Sequence, residues 1–234
     1  MWKKKKRINT VQRKLVSDTN PKSIHSEQYR TIRTNINFSM PDQELKTLLF
    51  TSALPRDGKS TTAANVAIVF AQEGKKVLLI DADMRKPTVH QSFKLINGLG
   101  LSNVLTRQAG IFDVVEESGT EGLDIITCGT IPPNPAELLS SQMMETILEE
   151  LEKKYDLVIF DSPPVLTVAD AQILANRCDG TVLVINSGTT GKDSAVRAKE
   201  VLVSSKAHLI GAILNDVAFD KDHYSYGYYG LATE

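Results

Sequence analysis

Residues 53–60 read Ala-Leu-Pro-Arg-Asp-Gly-Lys-Ser, and this stretch decides how the 234-residue chain folds. An apolar run at residues 47–51 precedes it, and a helical pattern at residues 59–73 follows it. Loops that contain glycine and lysine bind phosphate when they lie between a strand and a helix, although here Ala53 occupies a position where the usual pattern has glycine. We therefore interpret residues 53–60 as a phosphate-binding loop.

Each part of this loop has a role in binding a nucleotide. Backbone N–H groups of the loop and of the following helix point towards the phosphates. Lys59 supplies a positive charge to the β- and γ-phosphates, and the Ser60 hydroxyl is suited to Mg²⁺. The candidate nucleotide-binding residues of the loop are Arg56, Asp57, Gly58, Lys59, Ser60 and Thr61.

The rest of the chain alternates between short apolar runs and helical patterns. The runs are rich in Val, Ile and Leu, as buried strands are. Because strands that alternate with helices pair in parallel through right-handed crossovers, we expect an α/β fold with a doubly wound, mostly parallel sheet. Ligands of such sheets bind outside the carboxyl ends of the strands. The predicted strands are residues 47–51, 76–80, 123–127, 157–160, 181–185 and 209–214, and the predicted helices between them are residues 59–73, 135–153, 169–176 and 192–206.

Carboxylates follow two of the predicted strands. Asp81 and Asp83 come after the second strand, and Asp161 comes after the fourth. The spacing of Asp81 and Asp83 in an extended segment places both side chains on one side. A single Asp after a strand is usually a turn or capping residue. Three of them at the same edge as a phosphate-binding loop favour metal binding and catalysis.

The composition excludes several other classes of protein. With 27 basic and 28 acidic residues the net charge is -1, so we expect no nucleic-acid partner. No apolar run approaches the roughly 18 residues that span a bilayer, and none follows the basic N-terminus as in a signal peptide. Cys128 and Cys178 lack the spacing of a zinc site or a disulfide framework. These features predict a cytoplasmic protein.

The chain divides into three parts by composition and turn signals. In the basic N-terminal part, residues 1–22, the run from Lys3 to Arg7 is either solvated or in contact with anionic lipid. The parts are a basic, flexible segment at residues 1–22, one domain at residues 23–217 that begins with a helix at residues 23–38, and a flexible tail at residues 218–234.

The tail contains four of the six tyrosines of the chain, set among Ser, Gly and charged residues. They form either an aromatic patch that packs against a partner or a set of accessible substrate residues. The small neighbouring residues and the terminal position favour the substrate interpretation. Each added phosphate contributes nearly two negative charges, so adjacent phosphotyrosines would repel one another. The four residues are Tyr224, Tyr226, Tyr228 and Tyr229.

Over nearly its whole length the sequence resembles the bacterial tyrosine kinases, the cytoplasmic catalytic partners of polysaccharide chain-length regulators. The resemblance implies a P-loop NTPase fold of the partitioning and septum-positioning ATPase type, with ATP and Mg²⁺ as cofactors. It implies a tyrosine autokinase that regulates capsule or exopolysaccharide synthesis and phosphorylates its own tail. It is carried by the phosphate-binding loop, the tyrosine cluster, and residues 78–87, 132–139, 157–164 and 170–171.

The resemblance also implies a role for each residue of the predicted site. Lys59 binds the phosphates, while Ser60, Asp83 and Asp161 hold Mg²⁺, Asp161 directly or through water. Asp81 is the candidate base for the tyrosine proton, because a tyrosine pKa near 10 makes the neutral phenol a poor nucleophile.

Two further residues keep two interpretations each. Arg85 either neutralises the transferring phosphoryl group or holds a neighbouring chain. Asn215 corresponds to an adenine-binding residue of related ATPases, but an Asn at a strand end is often a turn residue. The candidate catalytic residues are Lys59, Asp81, Asp83 and Arg85.

The loop departs from the family pattern in two ways. Arg56 and Asp57 stand where the family commonly has Gly-Glu, so Arg56 would be strained if its position requires a positive φ. Partitioning ATPases often carry an extra lysine early in the loop, and residues 54–57 contain none, although Arg56 could imitate it. The missing lysine favours a kinase over the alternative, a non-kinase ATPase switch of the partitioning or septum-positioning type.

The first predicted helix carries Glu27, Arg30 and Arg33 at i, i+3 and i+6. Glu27 and Arg30 could form only a local ion pair. The resemblance implies instead that this pattern packs subunits into a closed ring, which would bring the tail of one chain to the site of the next. The resemblance thus implies further copies of the chain as partners. It also implies protein tyrosine substrates and a membrane-anchored activator that recruits the protein to the inner face of the membrane.

Overall fold

A computed structural model of the protein describes residues 15–41 and 44–218, and its centre is a seven-stranded sheet. The strands are β1 Thr47–Ser52, β2 Val77–Asp81, β3 Val115–Glu117, β4 Leu123–Ile126, β5 Leu157–Asp161, β6 Gly180–Asn186 and β7 Leu209–Asn215. Their order across the sheet is β3-β4-β2-β5-β1-β6-β7, and only the β3–β4 pair is antiparallel. The prediction of a doubly wound, mostly parallel sheet is therefore confirmed.

Helices cover both faces of the sheet. Buried side chains alternate along the strands: Leu48 and Phe50 belong to the core on one face, and Leu49 belongs to the core on the other. The first four helices pack on the former face and the later ones on the latter. The helices are α1 Val16–Thr19, α2 Ile24–Ser39, α3 Lys59–Ala71, α4 Val89–Phe93, α5 Leu101–Leu105, a 3₁₀ helix at Ile111–Val114, α6 Pro135–Leu139, α7 Gln142–Lys154, α8 Asp170–Arg177 and α9 Lys192–Ser204.

Helix α3 is buried along almost its whole length and anchors the phosphate-binding loop. Every residue of it except Thr61 is buried, because α1, α2 and five strands of the sheet surround it. The Ser17 amide donates to the side chain of Asn65, and the Gln72 side chain donates to the Ser17 carbonyl. The loop thus leads into a helix that is held on all sides.

Most predicted elements are confirmed within about two residues, but three expectations need correction. The helix predicted at residues 135–153 is interrupted, because Ser140 ends α6 and the Ser141 hydroxyl accepts the Met144 amide to start α7. Strand β3 was not predicted. The packed structure also begins before residue 23, since Leu15 is buried and α1 contacts α3.

Several predicted features lie outside the described residues. They are the basic run from Lys3 to Arg7 and the four tail tyrosines, Tyr224, Tyr226, Tyr228 and Tyr229. Among the helices that the structure describes, none combines the length and the apolar character that crossing a membrane requires.

Candidate nucleotide and catalytic site

The carboxyl ends of three adjacent strands build the site. Strand β5 lies between β1 and β2, so Asp81 at the end of β2 pairs in register with Asp161 at the end of β5. The phosphate-binding loop leaves the neighbouring β1. The sheet therefore brings the predicted carboxylates and the predicted loop to one edge.

The loop has two residues with positive φ. Gly58 has φ 95°, and a Cβ added there would lie 2.1 Å from Nδ2 of Asn215, so only glycine fits. Arg56 has φ 73°, so the condition under which the sequence analysis expected strain at this non-glycine residue is met. The Arg56 side chain is exposed to solvent.

Asp57 shapes the loop through its side chain. It is buried, its Oδ2 accepts the Leu54 amide at 2.9 Å, and its Oδ1 accepts the Thr190 hydroxyl at 2.7 Å. The Asn215 side chain donates to the Asp57 carbonyl at 3.0 Å. Asp57 therefore closes the loop and links it to the segment that follows β6 and to the last residue of β7. Thr190 is not among the predicted site residues, because no sequence motif marks it.

Lys59 is the cation at the centre of the site. Its ammonium lies 3.1 Å from Oδ2 of Asp83, 3.3 Å from Oδ1 of Asp161 and 3.0 Å from the Ser60 hydroxyl. Burial disfavours its charge, but Asp161, Asp83 and Asp81 outweigh burial and raise the pKa of Lys59. Lys59 is thus held protonated between two carboxylates.

Asp81 is fully buried and bonded by backbone amides. Its Oδ2 accepts the Thr88 and Val89 amides, each at 2.9 Å, and its Oδ1 accepts the Asp83 amide at 3.2 Å. Burial and the nearby Asp161 raise the pKa of Asp81 to about 7, although the amides and Lys59 oppose the shift. A carboxyl group that titrates near neutrality is suited to proton transfer.

Asp161 carries one unused oxygen. Its Oδ2 is buried and has no hydrogen-bond partner among the described residues, while Oδ1 receives Lys59. Burial, with Asp83 adding to it, raises the pKa of Asp161 against the opposing Lys59 and Ser60. Because an orphaned buried oxygen requires a partner, this atom fits a metal ion or its bound water.

The donor set suits Mg²⁺ better than a metal held by protein alone. Within the described residues, no group of three or more His, Cys, Asp or Glu side chains is arranged to hold a metal ion. Mg²⁺ usually binds through one or two carboxylates, with phosphates and water completing its octahedron. The Ser60 hydroxyl and the free oxygen of Asp161 match that pattern.

Arg85 lies beside the site but is bound to another carboxylate. Its Nε and Nη2 donate to the two oxygens of the fully buried Asp170, at 2.9 and 3.0 Å. The Arg85 side chain is 42% exposed, so part of the guanidinium faces solvent. Asp170 had entered the sequence analysis only through the family resemblance, and its burial at the start of α8 could not be read from the pattern.

A groove between α2 and β7 opens next to the loop. It has a volume of about 930 Å³, within the usual range for small-molecule sites. Tyr29, Asn215 and Thr62, which lies in the first turns of α3, contribute to its lining. Asn215 therefore lies between this groove and the phosphate-binding loop. Thr61, half-buried in the first turn of α3, completes the predicted loop residues.

The three residues of the predicted oligomerisation pattern have different surroundings. Glu27 and Arg30 form a local ion pair on the surface of α2. Arg33 instead donates from Nη1 to the Val69 carbonyl at 2.9 Å and lies 3.5 Å from Glu73 through Nη2. Arg33 thus binds the C-terminal end of α3 in its own chain.

Comparisons with known proteins agree with this geometry. The AAA domain family model matches residues 57–194. The tyrosine-protein kinase YwqD of Bacillus subtilis is 56% identical over 227 residues, which cover 97% of this chain and 95% of YwqD. The putative tyrosine-protein kinase CapB of Staphylococcus aureus is 42% identical over 96% of this chain and 98% of CapB.

Solved structures give the same result. The kinase domain of the Escherichia coli tyrosine kinase ETK superposes with a TM-score of 0.84 at 34% identity, covering 97% of this chain and 89% of that chain. The septum site-determining protein MinD of Pyrococcus horikoshii, at 21% identity and a TM-score of 0.62 over 73% of this chain and 70% of its own, shares the fold.

The strand, the phosphate-binding loop and the acidic strand ends define a P-loop nucleotide-binding protein of the septum-positioning ATPase fold. Relatives that match almost end to end then fix its place within that class. The chain belongs to the bacterial tyrosine-protein kinase family.

Proposed function

We propose that the protein transfers the γ-phosphoryl group of ATP to protein tyrosines, including Tyr224, Tyr226, Tyr228 and Tyr229 of its own C-terminal segment. One observation carries the proposal: Lys59 is held between Asp83 and Asp161 beside the Ser60 hydroxyl, at the edge that also bears Asp81. This arrangement combines a phosphate-binding cation, oxygen ligands for a metal ion and a carboxyl group for the tyrosine proton.

Nucleotide binding would use the loop and the groove together. The backbone amides of residues 56–61 and the N-terminus of α3 bind the phosphates, and Lys59 turns from its carboxylates to the β- and γ-phosphates. The groove beside Asn215 takes the base. Asn215 and Gly58 support this placement, because their close approach fixes the loop against the end of β7.

Ser60, Asp83 and Asp161 would hold Mg²⁺, which neutralises phosphate charge when bound. The tyrosine oxygen attacks the γ-phosphorus, the bond to the β–γ bridging oxygen breaks, and ADP leaves. Asp81 accepts the phenolic proton. Its pKa near 7 leaves a substantial fraction ionised at neutral pH, so it can act as a base there. Positioning and charge neutralisation supply most of the rate acceleration in such transfers.

The biological setting is proposed from the family. We infer that the kinase regulates capsule or exopolysaccharide synthesis, assembles as a ring through Glu27 and Arg30, and is recruited to the inner face of the membrane by a membrane-anchored activator. The exposed Glu27 and the half-buried Arg30, paired with each other on α2, support the first step of such an assembly. Adding the cytoplasmic segment of a candidate activator should raise tyrosine phosphorylation, and full activity without it would contradict this part of the proposal.

Mass spectrometry of the full chain after incubation with ATP and Mg²⁺, with and without a candidate activator, tests the activity. We expect phosphotyrosine at the four tail positions, and its loss in Lys59→Met. Lys199→Met, on the exposed surface of α9, is the matched control and should be phosphorylated normally. ATP hydrolysis without any phosphotyrosine would indicate the non-kinase ATPase instead, and phosphotyrosine in Lys59→Met would rule the site out.

A further inference from the structure

Both ends of the packed domain lie at one groove. Val16 and Ala218 each line the groove between α2 and β7. The N-terminal end is fixed there, because Leu15 is buried and the Ser26 hydroxyl donates to the Val16 carbonyl at 3.1 Å. The other end is fixed as well, because the side chain and the carbonyl of Asp216 accept hydrogen bonds from the end of β6 and the loop after it, each at 2.7 Å. The segments before and after the domain therefore start at the same groove.

The two segments that start at this groove have opposite charges. Residues 1–14, here called the lysine-rich segment, contain seven basic side chains and no acidic one. Residues 219–234, here called the tyrosine-rich segment, contain three acidic side chains, one lysine and four tyrosines, so their formal side-chain charge is -2. Each phosphate on tyrosine adds nearly two negative charges, and four of them would bring this charge to roughly -8 to -10.

We propose that the lysine-rich segment binds the phosphorylated tyrosine-rich segment of the same chain. The inference rests on the proposed function, which supplies the phosphotyrosines. Lysine and arginine side chains donate charge-assisted hydrogen bonds to phosphate oxygens, and such bonds are stronger than those between neutral groups. The unphosphorylated segment offers few negative charges to seven cations. Phosphorylation therefore creates the contact, and the lysine-rich segment distinguishes the modified chain from the unmodified one.

Chain length allows this contact within one copy. The eight residues from Leu15 back to Arg7 span at most about 29 Å, and the six from Ala218 to Tyr224 span at most about 22 Å. Because both spans begin at one groove, the basic side chains can meet the tyrosines across it. Two groups on short tethers have an effective concentration in the millimolar range, so contact within a chain is favoured over contact between chains at lower protein concentrations.

An anionic lipid surface is the other partner that a run of lysines suits. The shared groove favours the phosphotyrosines, because a lipid contact does not require the two segments to start at the same place. Both contacts use the same cations. The phosphorylated chain should therefore bind anionic vesicles more weakly than the unphosphorylated chain.

Titration of the unphosphorylated full chain with fluorescent synthetic peptides of residues 219–234 tests the contact without using kinase activity. The peptide phosphorylated at all four tyrosines should bind at least about tenfold more tightly than the unphosphorylated peptide. A variant of the lysine-rich segment with four lysines changed to Gln should bind the phosphopeptide about tenfold more weakly. The matched control changes four exposed lysines of the domain to Gln, has the same net charge and should bind like the unchanged chain. The variant changes Lys3, Lys4, Lys5 and Lys6, and the control changes Lys94, Lys153, Lys192 and Lys199.

A cross-link tests whether the contact lies within one chain. The full chain with Thr10→Cys and Ser225→Cys is treated with a short thiol-reactive cross-linker, since Cys128 and Cys178 are buried. After incubation with ATP and Mg²⁺, the link within the chain should form several times faster than before it, at a rate independent of protein concentration. A link that forms only between chains would overturn contact within one copy.

Three other results would overturn the proposal. They are equal affinity for the two peptides, equal losses in the variant and the control, and binding of phosphatidylserine-containing vesicles that phosphorylation leaves unchanged. If no condition yields phosphotyrosine in the chain, the proposed function fails. The titration with synthetic peptides then still decides whether the lysine-rich segment recognises phosphotyrosine.

Discussion

The Asn215 side chain donates a hydrogen bond of 3.0 Å to the main-chain carbonyl of Asp57, and this bond joins the end of the last strand to the phosphate-binding loop. The two residues are distant in the sequence, and the contact exists because Gly58 leaves no side chain between them. Asn215 is therefore more than a turn residue, since it supports the loop that binds phosphate.

Asn215→Ala removes this support and should weaken nucleotide binding. A hydrogen bond of this kind contributes about 1 kcal/mol, so we expect the Kd for ATP to rise roughly fivefold. Asn176→Ala is the matched control, because Asn176 donates a similar 3.0 Å bond to the Ser205 carbonyl in an exposed position. Fluorescence titration with ATP measures both. Equal affinities of the two variants would show that the Asn215–Asp57 bond does not order the loop.

Arg56→Gly should stabilise the chain. The φ of 73° costs a non-glycine residue about 1–2 kcal/mol of stability, which glycine would recover. Glycine also loses roughly 0.5–1 kcal/mol more conformational entropy on folding, which offsets part of that gain. The net gain of up to about 1 kcal/mol raises Tm by roughly 2–4 °C for a chain of this size. Arg197→Gly, in exposed helix α9, should lower Tm. A lower Tm for Arg56→Gly would mean that the Arg56 side chain makes contacts that outweigh the strain.

The strained backbone of Arg56 and the hydrogen bonds of Asp57 differ in how far the sequence predicts them. The strain follows from a local pattern, since a glycine-rich loop has a known backbone shape and Arg56 departs from its composition. The bonds of Asp57 to Thr190 and Asn215 depend on how the phosphate-binding loop meets the segment after β6 and the end of β7, and no local pattern encodes that. The same distinction explains the fold: buried parallel strands are predicted from short apolar runs, whereas β3, with only Val115 apolar among its three residues, is not. The break at Ser140 is missed because the apolar periodicity of α6 and α7 continues across it.

Asp81 should make the stability of the ligand-free chain depend on pH. Burial and Asp161 raise its pKa from 3.8 to about 7, so the folded state binds the proton more tightly than the unfolded state. Its contribution to stability is complete below about pH 4 and is lost as the pH rises through about 7. Tm measured in EDTA should therefore fall less between pH 5 and pH 8 in Asp81→Asn than in the unchanged chain. Asp193→Asn, on the exposed start of α9, should follow the unchanged chain. Parallel slopes for Asp81→Asn and the unchanged chain would contradict the raised pKa.

The Arg85–Asp170 ion pair separates a structural role of Arg85 from a catalytic one. Arg85→Ala leaves the buried Asp170 carboxylate unpaired and should cost about 1–2 kcal/mol, less than a fully buried pair because solvent screens the exposed guanidinium. Adding Asp170→Asn removes the unpaired charge and should restore most of the free energy of unfolding. If Arg85 neutralises the transferring phosphoryl group, tail phosphorylation should remain low in the double variant, because that positive charge is still missing. Recovery of activity together with stability would show that Arg85 acts only through Asp170.

Replacement by alanine should affect Arg30 and Arg33 differently, although both belong to the predicted oligomerisation pattern. Arg33 is 18% exposed and binds the Val69 carbonyl and Glu73, so Arg33→Ala exposes the C-terminal end of α3 and should cost about 1–2 kcal/mol of stability. Among the residues that the structure describes, the Arg30 side chain forms its ion pair with Glu27 alone, so Arg30→Ala should change the free energy of unfolding by less than about 0.5 kcal/mol. Thermal unfolding gives the first quantity, and sedimentation velocity over a range of concentrations gives the oligomeric state. We expect Arg30→Ala to weaken assembly without loss of stability. An assembly defect confined to Arg33→Ala would instead place the contact between chains at the α2–α3 junction.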